Sequence, residues 1–154
     1  MHLIDSKAQA SAAWMEHQIL DHVKQALRVT LGWKVPIEGV ARKRSSVQFT
    51  LKSFQRHLER LMNLEEQDGY MVMVGELKPN LQYRIDRLEH DHDHFRQAID
   101  ELFPRFEEIN EFDPEAMDRL CEDINLLLDQ IDHHDQEETD LLQESLLYDE
   151  GGEG

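Results

Sequence analysis

Residues 114–142 read PEAMDRLCEDINLLLDQIDHHDQEETDLL, and the fold turns on this stretch. After Pro114 it contains neither proline nor glycine, and Leu120, Ile124, Leu127, Leu128, Ile131, Leu141 and Leu142 recur at the spacing of one helical face. Asp113 ahead of Pro114 and Glu115 is the pattern of an N-cap followed by proline at the first helical position. Successive helical residues turn by about 100°, which centres the apolar stripe between Leu127 and Ile131. Glu138 then falls almost on the centre and His134 within roughly 50° of it, whereas His133 and Glu137 turn away. A carboxylate in the middle of a core stripe is costly unless it is paired or binds a metal. Glu138 would escape that cost beyond the buried end of the helix, but Leu141 and Leu142 continue the stripe past it.

Working outward, three more segments carry the same periodicity. Residues 5–31 lack proline and glycine and place Ala13, Leu20, Val23, Leu27 and Leu31 on one face. Gly32, Pro36 and Gly39 break that pattern, and the basic run Arg42, Lys43, Arg44 follows in the connection. Ser45 or Ser46 is positioned to cap a second helix bearing Val47, Leu51, Phe54, Leu58, Leu61 and Met62, which ends at Asp68-Gly69. A brief apolar stretch, Tyr70 to Val74, leads to Gly75 and Pro79. The third helix presents Leu81, Ile85, Leu88, Phe95, Ile99 and Leu102 before Pro104, which is expected to kink or end it. Four amphipathic helices, short connections and no convincing strand predict an all-α, up-down-up-down four-helix bundle. The bundle is expected to span residues 1–148, and 149–154 reads as an acidic, glycine-rich disordered tail.

Composition narrows the classes of function. The 154 residues suit one domain, and 33 acidic against 16 basic residues give a net charge of −17. Such a field repels phosphate backbones, so neither nucleic acid nor an anionic membrane is the expected partner. No apolar run approaches the ~20 residues needed to span a bilayer, and the first residues lack a signal-like apolar region, which leads to a cytoplasmic expectation. Cys121 is the only cysteine, so there is neither a disulfide framework nor a thiolate cage, and it reads as a small buried hydrophobe. Trp33, Lys34 and Arg42 to Arg44 form the only concentrated basic patch, read as a solvated loop. Met62, Met71 and Met73 read as packing rather than ligands.

The nine histidines separate by helical face. His90 and His94, four apart, are the obvious pair, yet both lie roughly 150° or more from the stripe centre; His92 is the inward one. In the second helix Glu65 lies on the line of Phe54, Leu58 and Leu61, and Glu66 turns away. In the first, His17 flanks the stripe with Glu16 near it, while His22 points outward. Each helix thus offers an inward polar residue: His17, Glu65, His92, and the pair His134 and Glu138. Imidazoles and carboxylates converging from four helices are how metal sites in bundle cores are built. That donor set suits iron, with zinc or manganese as alternatives, and the lack of thiolates argues against copper(I) and iron–sulfur clusters.

The segments Glu16-His17-Gln-Ile-Leu20, HLERLMNLEEQDGYM (57–71), Leu88-x-x-Asp91-His92-x-x-Phe95 and His134-Asp-Gln-Glu137-Glu138 together resemble the hemerythrin-like family, also called HHE cation-binding domains. The resemblance covers about residues 10–148. It implies a non-haem di-iron centre with His17, His92 and His134 as terminal ligands and Glu65 and Glu138 bridging, in a protein that binds O2 or NO or senses, handles or stores iron. The family places a histidine four residues before the helix-two glutamate, where this chain has Leu61. His57 lies one further turn back, roughly 6 Å along the axis, and with His22 and Glu16 is a weaker ligand candidate. Oxygen-carrying members also use a second histidine on helix three, where this chain has Leu88. The set is therefore incomplete for a reversible O2 carrier and supports one metal better than two. Two alternatives stand beside it: a metal-free bundle acting as a protein-interaction module, and a di-iron oxidase or peroxide-reducing enzyme, for which no substrate pocket is legible. The expected state is a monomer or homodimer with no identified protein partner.

Overall fold

The computed structural model describes the backbone of residues 2–67 and 69–152, and side-chain surroundings for 11–67 and 69–145. The chain is all-helical: α1 (His2–Leu31), α2 (Val40–Glu66), a short α3 (Tyr70–Leu77), α4 (Gln82–Glu108) and α5 (Pro114–Gly152), with 3-10 turns at Ile37–Gly39 and Pro79–Leu81. No strand occurs among the described residues. The four long helices pack as a bundle in which α1 neighbours α2 and α5, and α4 neighbours α5 and α2. Among the described residues no helix is long and apolar enough to cross a membrane. Asp113 does cap α5, its Oδ1 accepting from the Ala116 N–H at 3.0 Å. The α5 backbone continues to Gly152, through most of the stretch marked as a tail by composition; residues 153 and 154 lie outside the described ones.

One expected boundary is corrected, and two segments are defined more closely. The second helix begins at Val40, not at Ser45 or Ser46, because the 3-10 turn leads directly into it and takes the basic run inside. Lys43 is consequently buried rather than in a solvated patch, its ammonium donating to the Leu31 and Trp33 carbonyls that the end of α1 leaves open. Arg44 likewise donates to the Ile109 carbonyl at 2.8 Å. The stretch from Tyr70 to Val74 is itself helical, as the start of α3. Pro104 does not end the third helix, and α4 runs on to Glu108. Proline this close to a helix end removes one hydrogen bond, and burial of Phe106 and Ile109 holds the last turn in place.

The apolar interior is split. A main cluster contains Leu20, Leu27, Phe54, Leu58, Leu61, Met62, Phe95, Phe106, Leu128 and Ile131 among others. A smaller one gathers Met71, Val74, Leu81, Ile85, Leu88 and Leu141 beneath α3. Between them lies a polar layer. On α4 it is His92, between Leu88 of the small cluster and Phe95 of the main one; on α5 it is His134 and Glu138, between Ile131 and Leu141. Glu138 is therefore flanked by core on both sides. Outside the layer, ion pairs tie neighbouring helices: Lys24 and Arg28 to Asp132 at 2.6 and 2.8 Å, Arg96 to Glu66 at 2.6 Å, and Arg105 to Asp123 at 2.6 Å. Half-exposed pairs of this kind orient helices more than they stabilise them.

Candidate metal centre

Glu65 is 3% exposed, His92 1%, His134 3% and Glu138 5%, so four of the five inward residues are buried; His17 is half-buried. Their ligand atoms form two overlapping groups. One oxygen or nitrogen each from His92, His134 and Glu138 lie within 4.8 Å of one another, and the same holds for His17, Glu65 and Glu138. Glu138 belongs to both. His92 Nε2 stands 3.1 Å from His134 Nε2, 3.5 Å from Glu65 Oε1 and 3.8 Å from Glu138 Oε1, and His134 Nε2 is in direct contact with Glu138.

The far side of each ring is anchored. His134 Nδ1–H donates to Asp91 Oδ2 at 3.0 Å, and His92 Nδ1–H to Glu66 Oε2 at 3.2 Å. Glu66 is held in turn by the Arg96 guanidinium. With Nδ1 so anchored each Nε2 faces inward, and in the metal-free layer the two Nε2 atoms share a hydrogen bond; each would become the basic, metal-facing atom once its proton leaves, the tautomers being inferred from this network. Phe95 packs its ring edge-on to His134, centroids 5.3 Å apart. Two nitrogens each about 2.1 Å from a shared ion, at right angles, stand about 3.0 Å apart. The Nε2 separation of 3.1 Å fits that spacing.

The electrostatics describe a metal-free layer that balances its own charge by holding protons. Burial first, and then the Glu138 carboxylate that shares its proton, push Glu65 well above the usual carboxylate range. Burial also works to raise Glu138, but the proton from Glu65 and the hydrogen bonds from His134 and His92 outweigh it and hold Glu138 well below that range. For His134 burial opposes charging, yet Glu138 and Asp91 prevail and raise it to about 9. Asp135, beside the layer, is raised to about 6 by burial and by Glu138. Such opposed shifts in one buried cluster are a mark of functional sites.

His90, His94 and His133 are exposed, as their helical angles predict, and so is His22, which the structure leaves outside the centre. His57 and Glu16 do not reach it either: His57 Nδ1 pairs with Glu16 Oε1 at 2.6 Å between α1 and α2. Leu61 is buried at 2% exposure, so Glu65 is the only ligand-type side chain α2 places in either group. Three participants went unrecognised in the sequence. Asp91 and Glu66 act through the ring nitrogens, and acids beside a ligand position are the signal that points to them. Tyr70, read as part of an apolar stretch, brings a buried hydroxyl to Glu138 and Glu65. No family model, curated protein or solved structure matches the chain.

Proposed function

We propose that this chain is a hemerythrin-like metal-binding protein, an up-down-up-down bundle whose polar layer holds non-haem iron and serves to bind O2 or NO or to sense or store iron. The observation that carries it is the pair of Nε2 atoms 3.1 Å apart, each ring tied through Nδ1 to a carboxylate, inside a layer closed above and below by core. The alternating topology has support in the order of residues: the bulk of the main cluster follows the polar layer along α1 and α4 and precedes it along α2 and α5. His92, His134 and Glu138 would hold one ion, and His17 and Glu65 with the shared Glu138 a second. Each group supplies three protein donors, which leaves positions open for a small ligand. Iron in this N/O environment would supply reversible ligand binding or redox storage; zinc and manganese suit the same donors.

A metal-free interaction module is the second candidate, and Leu61 together with the self-balanced protons of the layer favours it. Elemental analysis after anaerobic loading with iron(II) and desalting separates the two. We expect one to two iron atoms per chain, loss of binding in His134→Ala, and binding weakened about 10–100-fold in Asp91→Asn, where only the ring's anchor changes. Wild-type protein that retains no transition metal would overturn the metal centre and leave the interaction module.

A further inference from the structure

Besides the stripe it buries, α1 carries a second one. Met15, Ile19, His22, Ala26, Val29 and Trp33 recur at alternating intervals of four and three residues, and all of them are exposed. That alternation is the spacing of a coiled-coil seam. Trp33 stands just past the end of α1, its N–H donating to the Thr30 carbonyl at 3.2 Å. At 100° per residue the seam centres roughly 135° from buried Leu20 and Leu27. It is turned toward α2: Glu16, which bonds α2, lies on its flank, and Lys24 and Arg28, which bond α5, lie on the far side. Singly exposed apolar residues are ordinary, but a periodic row of them marks a contact surface.

α2 completes the face. Glu16 bonds His57 and Lys43 bonds the Leu31 carbonyl, so higher numbers on α1 stand level with lower numbers on α2. By that register Phe49 is level with Lys24, the midpoint of the α1 seam. Phe49 is 77% exposed, more than any other large hydrophobic residue among the described ones. No exposed carboxylate interrupts this side. Gln18 and Gln25 border the seam, Ser46 and Ser53 border Phe49, and Arg42 and Arg60 lie toward the ends. Glu16, at the edge, is half-buried and held by His57. In a chain of net charge −17, this is the side on which a like-charged copy meets the least repulsion.

We propose that the α1/α2 side is the interface of a two-fold homodimer, with α1 lying antiparallel on α1 of a second copy about an axis at residue 24. In that register Met15 meets Trp33, Ile19 meets Val29 and His22 meets Ala26 of the second copy, each pair occurring twice. Large side chains face each other at the ends, and a small one faces the imidazole at the centre. The same axis sets Phe49 against its own counterpart and Ser46 against Ser53. About 27 Å of seam, at 1.5 Å per residue, is short for a coiled coil, and the Phe49 contact widens it into a face of four helices. An isologous contact of this kind closes on itself, since each copy covers the other's seam. His17 and Glu65 turn away from this side, so the dimer does not depend on the metal centre.

The test is sedimentation velocity on the full chain, with and without iron, from micromolar to millimolar concentration. A doubled mass is expected as concentration rises. Ile19→Glu and Val29→Glu should each weaken dimerisation more than about 100-fold while keeping the wild-type circular dichroism. Oxidative cross-linking reads the register. Phe49→Cys should link to itself, and His22→Cys mixed with Ala26→Cys should give a linked heterodimer that neither forms alone, whereas Leu126→Cys on α5 should give none. Sodium chloride should tighten the dimer by screening the two net charges of −17, and with them Arg42 and Arg56, which the axis brings level. A single mass throughout overturns the proposal and leaves the seam to a partner of another sequence. Dimers that survive both glutamate variants overturn it, as does His22→Cys linking to itself, the mark of parallel α1 helices. An association that salt dissolves is contact between arginines and the acidic side of another copy, and overturns it too. Should both glutamate variants misfold, the cross-links decide.

Discussion

At His134 two carboxylates work against burial and win, raising the imidazole from 6.5 to about 9. A histidine whose folded pKa is raised adds stability that is fully present below about 6.5 and is lost as pH climbs through about 9. Asp135 acts in the same direction by the opposite route. Its acid form is favoured in the fold, so stability falls as pH rises from about 3.8 through about 6. The metal-free protein is therefore expected to melt at progressively lower temperature from about pH 5 to about pH 9. The iron-loaded protein should not follow, because the metal takes the place of those protons and binds better once they have left. Thermal melts across that range, with chelator and with iron, check this; parallel curves would show that the layer holds no metal.

Among the elements, α3 is the one that composition hid. Eight residues, two of them buried, cover the end of the polar layer and deliver Tyr70. Everything depends on the turn at Gly69 lying flat on α2. Gly69→Ala is expected to cost about 1–3 kcal/mol in urea unfolding, because the added carbon meets backbone rather than a movable side chain. If the stability is unchanged, the turn is not held as tightly as the close approach to Glu65 implies. The connection between α1 and α2 teaches a similar lesson. Lys43 reads as surface charge in sequence, yet it closes the end of α1 from inside α2.

For the whole molecule the dominant bulk property is a net charge of −17, most of it on the surface of the bundle. Self-repulsion at that charge destabilises the compact state, and salt screens it over about 30 Å at 0.01 M and about 8 Å at 0.15 M. The metal-free protein should therefore gain melting temperature between those concentrations of sodium chloride, and the gain should shrink on metal loading as buried carboxylates are neutralised. A salt-independent melt would mean that the cross-helix pairs of Lys24, Arg28 and Arg96 already offset the excess.

Most of the architecture was legible because helical periodicity is a local property. Leu127 and Ile131 set a stripe, and the stripe picks His134 and Glu138 over His133 and Glu137, and His92 over the more conspicuous His90 and His94. Helix ends were less legible, since Ser45, Ser46 and Pro104 are punctuation that packing overrode. The sequence alone determined which residues turn inward on each helix, because that follows from 100° per residue and the cost of burying a charge. Only the tertiary structure decided which of them meet. Glu16 and His57 bond across α1 and α2, Asp91 and Glu66 anchor rings on other positions, and Tyr70 reaches the carboxylates from outside the four helices. Those relations depend on the rotation and depth of one helix against another, quantities set by packing across the chain and carried by no single segment.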